Sequence, residues 1–290
     1  MKRYRVHNIQ FDGRLASLEM EIRPEWEEKV KKAHAENRIG VIADLLVQYG
    51  QDGAIQKIKN YADIGYMPLS VVSFHNDYLA QIRDAYCIGA YYPALTAACS
   101  LGERILNELT QVLKSSYPAV PLPNNVRRAL GKEACDDWRI MCQALVTWNL
   151  IDRNVARKYE RLNVLRNRFA VHYNSDLRKD LREHALEAIK LISGIIESQF
   201  SGFGRCRWLI EGTAGAAFIK KEWEEDPFIR GFYVPCCVYV GPRHMMKAAD
   251  GWFVVAEDDT EGLAEDMADA EFVLAYDECH GRPQREPAVA

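Results

Sequence analysis

The residues from Leu69 to Phe200 form the longest stretch of uniform character in this 290-residue chain, and they restrict its fold more than any other feature. Apolar residues recur there at intervals of three and four, which places their side chains on one face of an α-helix. Gly89 and a proline-rich segment at 118–123 interrupt the pattern. The pattern predicts helices over residues 69–85, 90–113, 124–131, 133–148, 153–173 and 177–199. Helices of similar length joined by short loops indicate an antiparallel helical bundle over residues 69–200.

Residues 1–68 are expected to precede this bundle as a β-hairpin and a helical extension. Residues 3–22 alternate between apolar and polar around Asp12-Gly13. This dipeptide favours a type I′ turn, because both central positions of that turn need a positive φ. From Pro24 the helical spacing runs to Gly50, and a shorter helix is predicted near residues 53–62.

Residues 201–290 are expected to form a separate small α+β domain. After residue 200 the helical spacing gives way to runs typical of strands, at 206–210, 232–240, 252–257 and 271–276. Ten acidic residues lie between Glu257 and Glu278 without a lysine or arginine, and the tail from Gly281 is predicted to be disordered. The predicted fold is therefore mainly α, with a hairpin extension before the bundle and a small α+β domain after it.

Composition excludes several classes of function. The eight cysteines contain no Cys-x-x-Cys pair, so no zinc site is predicted, and no metal or cofactor is expected. The sequence contains no glycine-rich phosphate loop and no Gly-x-Ser-x-Gly elbow. It also shows no secretion signal and no run of about 18 apolar residues, so a cytoplasmic protein without a membrane partner is expected.

Positive charge is concentrated in one segment of an otherwise acidic chain. Residues 153–182 hold nine lysines and arginines against three acidic residues, a local charge of +6 in a protein of net charge −4. Such a concentration suits a polyanion such as RNA, although a solvated helix face with internal ion pairs would look the same. The residues that we expect to contact RNA are Arg157, Lys158, Arg161 and Tyr173.

The same segment contains a polar motif on an apolar helix. Arg166, Asn167 and Arg168 lie within two turns of His172, while Leu162, Leu165, Phe169 and their neighbours indicate that the helix is largely buried. Buried polar groups cost free energy unless they find partners. The motif therefore predicts either a ligand site or polar contacts to another helix.

An arginine and asparagine followed shortly by histidine, on the penultimate helix of a bundle, resemble the Arg-x(4–6)-His signature of HEPN domains (higher eukaryotes and prokaryotes nucleotide-binding). The upstream segment 89–106, with its aromatic and small residues leading to Glu103, is similar to an early helix of that family. The resemblance covers roughly residues 70–200 and none of the C-terminal domain.

The resemblance implies a metal-independent endoribonuclease that works as a homodimer through the motif helix. His172 would transfer protons as the 2′-hydroxyl of RNA attacks the adjacent phosphate, and Arg166 would neutralise that phosphate. Asn167 would orient the backbone or the substrate, and Glu103 would position a side chain of the motif. Family members of this kind occur as toxins and defence effectors, which implies an inhibitor or an activating partner protein.

Three alternatives stay open. Arg168 and His172 are four residues apart and share a helix face, whereas Arg166 and His172 lie about 120° apart on an ideal helix, so Arg168 could be the functional arginine. The chain could also be a non-catalytic module that binds nucleic acid or nucleotide. It could equally be a protein-interaction scaffold whose polar residues satisfy one another.

Overall fold

The computed structural model describes residues 2–7, 12–117, 122–131, 137–171, 180–202, 206–213, 215–249, 252–256, 263 and 266–280. The chain divides into two compact units. The helical unit comprises residues 10–199, and the terminal unit combines residues 1–9 with residues 200–290. The protein is mainly helical, which confirms the predicted fold class.

Several helix boundaries in the helical unit coincide with local signals in the sequence. Its α-helices are α1 (Arg14–Glu19), α2 (Glu28–Tyr49), α3 (Ala54–Ile64), α4 (Ser73–Cys87), α5 (Tyr91–Leu113), α6 (Asn124–Leu130), α7 (Trp138–Thr147), α8 (Arg153–Leu165) and α9 (Leu181–Phe200). Gly89, at φ 88°, separates α4 from α5 in a backbone conformation that favours glycine. Asp152 caps α8 by accepting hydrogen bonds of 2.8 Å from two backbone N–H groups. The break between α4 and α5 and the start of α8 therefore lie where local signals predict, whereas α4 begins at Ser73, four residues later than predicted.

Helix α5 is the central element of the helical unit, and it packs against α4, α7 and α8. Eleven of its residues are buried, among them Leu95, Cys99 and Leu106. At Gly102 the backbone of α5 approaches α8 so closely that an added Cβ would lie 2.3 Å from Leu162 Cδ2. Glu103 is the next residue on α5 after this close contact.

The predicted N-terminal hairpin is wrong. Strand β1 (Arg3–Val6) pairs antiparallel with β2 (Cys237–Val240), with Arg3 opposite Val240. The segment expected to return as the second strand instead contains α1. Gly13 has φ −87°, so the type I′ turn that its sequence favours does not form. The carboxylate of Asp12 is instead held by Arg14 and Arg83, with contacts of 2.7–3.0 Å.

The terminal unit contains β1, β2, a hairpin of β3 (Met245–Ala249) and β4 (Trp252–Ala256), and helix α10 (Asp269–His280). The predicted strand at 271–276 is wrong, because these residues lie in α10. Phe272, Ala275 and Tyr276 are buried, and their spacing of three and four is helical. Phe272 and Tyr276 join a core cluster that includes Phe218 and Val240.

The predicted strand at 252–257 is confirmed by β4, whereas the other two strand predictions for this unit hold only in part. Of the expected strand at 232–240, only β2 is extended, since residues Ile229–Tyr233 form a π-helical turn and Val234–Cys236 a 3₁₀ turn. A further 3₁₀ turn covers Lys221–Trp223. The run at 206–210 contributes a single bridge between Leu209 and Ile219. The expected disordered tail from Gly281 and residues 257–262 of the acidic stretch lie outside the described residues.

In the part of the chain that the structure describes, no helix combines the length and the apolar character that crossing a lipid bilayer requires.

Candidate functional site

A bidentate ion pair joins the two sequence segments that carry the predicted site. The guanidinium of Arg166 contacts the Glu103 carboxylate through Nη2 and Oε1 at 3.0 Å and through Nε and Oε2 at 3.1 Å. Glu103 lies on α5, and Arg166 begins the turn that follows α8. Both side chains are 29% exposed, so the pair is shielded from bulk water and still reachable from it. Two parallel N–H···O bonds fix the plane of the guanidinium as well as its position.

Two asparagines extend this pair along the helix. Arg166 Nη1 donates to Asn167 Oδ1 at 3.2 Å, and Asn167 Nδ2 donates to Asn163 Oδ1 at 3.2 Å. We refer to Glu103, Asn163, Arg166 and Asn167 as the polar cluster. Asn163 is not among the predicted site residues, although its position four residues before Asn167 places both on one helix face.

The polar cluster coincides with a change in the helix itself. Residues Arg166–Val171 form a π-helical turn directly after α8. Its Phe169 is buried and stacks on His184 of α9, with ring centroids 4.1 Å apart and an angle of 26° between the rings. π-Helical turns are rare and occur frequently at functional sites. The turn therefore marks this region independently of the residue types.

Arg168 does not belong to the polar cluster. Its side chain is exposed, and its guanidinium lies 5.0 Å from the centroid of the adjacent Phe169 ring. Arg166 and Arg168 thus occupy different environments, one held by a carboxylate and the other open to solvent. The remaining residues of the predicted motif, His172 and Tyr173, lie outside the described residues.

Three basic residues of α8 donate hydrogen bonds to groups on α8 and α9. Arg161 forms hydrogen bonds of 2.6 and 2.8 Å with Glu187 of α9, and Lys158 donates to the Gly194 carbonyl at 3.0 Å. Arg157 donates to Asn154 Oδ1 at 3.2 Å. The hydrogen bonds with Arg161 hold the pKa of Glu187 below its ordinary value. Part of the positive charge of the segment therefore stabilises the contact between α8 and α9.

Cys99, one helical turn before Glu103 on α5, is unsuited to nucleophilic chemistry. Cys99 is buried, and its thiol lies 3.8 Å from the Leu162 carbonyl. Burial raises the pKa of Cys99 to about 12, despite the charge of Arg166. The thiolate, which is the reactive form, is therefore scarce at neutral pH.

Over the described part of the chain, no group of three or more His, Cys, Asp or Glu side chains converges as a metal site would require. The polar cluster itself offers hydrogen bonding and charge stabilisation by the fixed guanidinium of Arg166.

No protein-family model, curated protein or solved structure matches this chain.

Proposed function

We propose that the protein is a metal-independent endoribonuclease of the HEPN type, active as a homodimer through the helix that carries Arg166 and His172. The observation that carries the proposal is the bidentate pair between Glu103 and Arg166. It joins the two separate segments on which the family resemblance rests. Cellular RNA as substrate would imply action in the cytoplasm.

In the proposed reaction, the RNA 2′-hydroxyl attacks the adjacent phosphorus. The P–O2′ bond forms and the P–O5′ bond breaks, which gives a 2′,3′-cyclic phosphate and a 5′-hydroxyl. One imidazole accepts the proton of the 2′-hydroxyl, and a second proton is delivered to the leaving 5′ oxygen. His172 and its copy in the second protomer are the candidates for these two transfers, since imidazole titrates near neutral pH.

Arg166 would stabilise the negative charge that develops on the phosphate. A guanidinium has five N–H donors, and the contacts to Glu103 and Asn167 use three of them. Two donors therefore stay available for phosphate oxygens while Glu103 keeps the guanidinium in place. A donor that is already oriented needs little reorganisation when the charge appears. Exposed Arg168 would contact the RNA strand rather than the reacting phosphate.

The test is incubation of purified protein with mixed cellular RNA in EDTA, followed by analysis of the fragments and their 3′ ends. We expect wild type to leave cyclic phosphate ends, and His172→Ala and Arg166→Gln to abolish cleavage. Arg168→Gln should weaken RNA binding and retain cleavage, and exposed Arg139→Gln on α7 is the matched control. Cleavage that persists in both His172→Ala and Arg166→Gln would refute the proposal.

A non-catalytic module is the second candidate, and one observation favours it. Glu103 already neutralises Arg166, and Glu187 does the same for Arg161. RNA binding that depends on Arg168 but yields no fragments would identify a binding module. The absence of both binding and cleavage would instead favour a protein-interaction scaffold.

The proposed activity also predicts an effect in cells. As a toxin or defence effector, the wild-type protein should arrest growth when it is expressed without an inhibitor, whereas His172→Ala should not. A partner protein that restores growth would be the inhibitor that this setting requires. Equal growth with both forms would count against a toxin.

A further inference from the structure

A groove lies between α4 and α5, outside the polar cluster. Its volume is about 310 Å³, at the lower end of the range for small-molecule sites. It is lined by Tyr78, Gln81, Ile82, Ala97, Ser100, Leu101 and Arg104. The α5 residues lie at intervals of three and four, so they share one face, and Arg104 is one position beyond Glu103 on the helix. A ligand in the groove would therefore occupy a different face of α5 from the proposed catalytic residues.

The floor and the rim of this groove differ in character. Ile82 and Leu101 are buried and form an apolar floor. Ala97 and Ser100 are exposed and small, so the surface of α5 stays open between the two helices. Mainly apolar walls with a few polar groups at the edge are typical of sites for small organic ligands.

Tyr78 and Arg104 form an ordered pair at the rim. Arg104 Nη1 donates to the Tyr78 hydroxyl at 3.1 Å, and the guanidinium lies 5.6 Å from the centroid of the ring. Tyr78 is 37% exposed, so part of its side chain is open to solvent beside the positive charge. A guanidinium that uses one donor in this way keeps others for a carboxylate, sulfonate or phosphate oxygen.

The charge of Arg104 is incompletely balanced by its surroundings. Among the described residues, no carboxylate lies within 4.0 Å of its guanidinium. Glu108, one turn further along α5, is an acidic group whose pKa is affected by the charge of Arg104. Burial raises the pKa of Glu108 above its ordinary value, while Arg104 acts in the opposite direction. The groove thus offers a cation beside an aromatic ring and an apolar floor.

We propose that the groove between α4 and α5 binds a small planar aromatic molecule with one anionic group. Its ring packs on Tyr78 above Ile82 and Leu101, and Arg104 binds the anion. Gln81 and Ser100 supply further hydrogen bonds at the rim. The site is independent of RNA cleavage.

The test is titration of the full-length protein with naphthalene-2-sulfonate by calorimetry, with neutral naphthalene-2-sulfonamide as the matched ligand. We expect the sulfonate to bind at least tenfold more tightly than the sulfonamide, and Arg104→Ala to remove that difference. Tyr78→Phe, which keeps the ring and loses the hydroxyl, should weaken binding only a few-fold. Equal binding of the two ligands to wild type, or unchanged preference in Arg104→Ala, overturns the proposal.

A second pair of variants locates the site. Ala97→Trp fills the groove and should abolish binding, whereas Ala33→Trp places the same side chain on the exposed surface of α2 and should leave it unchanged. Circular dichroism confirms that both variants fold. Sulfonate binding that survives Ala97→Trp would lie elsewhere. Dissociation of an oligomer by Ala97→Trp, in a protein that binds no sulfonate, would show that a second copy covers the groove.

Discussion

Replacement of Gly102 by alanine tests whether the contact between α5 and α8 is as close as described. The new Cβ would lie 2.3 Å from Leu162 Cδ2 and 3.6 Å from Trp138 Cη2, whereas carbon atoms prefer about 3.5–4.0 Å. Leu162 is fully buried and Trp138 is 2% exposed, so neither can move into solvent. Overpacking a protein core costs about 1–3 kcal/mol of stability. Because atoms here must move by more than 1 Å, the cost should lie near the upper end of that range. Alanine recovers about 1 kcal/mol as the better helix former, which leaves a net loss of about 2 kcal/mol.

Gly194→Ala on α9 is the matched control. Its Cβ would lie 2.7 Å from Lys158 Nζ, the mobile end of a long side chain that can swing away. The hydrogen bond lost there, worth about 1 kcal/mol, roughly offsets the gain in helix propensity, so stability should change by less than about 0.5 kcal/mol.

The assay is urea unfolding followed by circular dichroism. The free energies of unfolding are compared for a constant m value, the slope of the free energy against urea concentration. In a double-mutant cycle, Gly102→Ala should cost at least about 1 kcal/mol less in a Leu162→Ala background, because the clashing methyl group is gone. A Gly102→Ala protein as stable as the Gly194→Ala control, or the same cost in both backgrounds, would refute the close contact.

Three further predictions concern polar groups of the helical unit. His75 is 1% exposed, and burial lowers its pKa to about 3, so the folded state contains this imidazole in its neutral form. The contribution of His75 to the free energy of unfolding should be complete above about pH 6.5 and decline by about 1.4 kcal/mol per pH unit towards pH 3. When unfolding is measured as a function of pH, His75→Gln should lack this slope. Burial alone would raise the pKa of Asp12, yet Arg14 and Arg83 hold it well below its ordinary value. Asp12→Asn should therefore cost about 1–3 kcal/mol at pH 7 and progressively less below about pH 4, and an unchanged melting temperature at pH 7 would contradict this. Asn60 is buried and donates to two backbone carbonyls at the end of α4, so Asn60→Ala should cost about 2–4 kcal/mol in thermal unfolding, and a loss below about 0.5 kcal/mol would show that these carbonyls find other partners.

The helical unit could be predicted from the sequence because its signals are local. The spacing of apolar residues, the cap at Asp152 and the break at Gly89 each act within a few residues. The N-terminal strand could not be placed in the same way. Its partner is more than 200 residues away, and the turn signal of Asp12-Gly13 is outweighed by the two arginines that hold the Asp12 carboxylate.

The strand prediction for the short apolar run in α10 is wrong for a different reason. A run of five or six apolar residues suits a buried strand as well as a buried helix, and only the packing of Phe272 and Tyr276 against Phe218 decides between them.

The candidate site was predictable in its residue types and only partly in its geometry. Glu103 was expected to position a side chain of the motif, and the structure pairs it with Arg166. Asn163 was missed, although its helical spacing from Asn167 was a usable signal. The π-helical turn at Arg166–Val171 depends on main-chain hydrogen bonds that no residue pattern specifies, and it alters the angles that an ideal helix would give.

The pairing of β1 with β2 has a consequence for how the protein is made. Strand β1 leaves the ribosome well before its partner, which follows about 230 residues later. At typical elongation rates the wait is roughly 10 to 50 s, long enough for the intervening helices to fold first. Until then Arg3–Val6 is an unpaired edge that other chains can capture. Slow synthesis, or a product truncated before β2, should therefore lead to aggregation through β1.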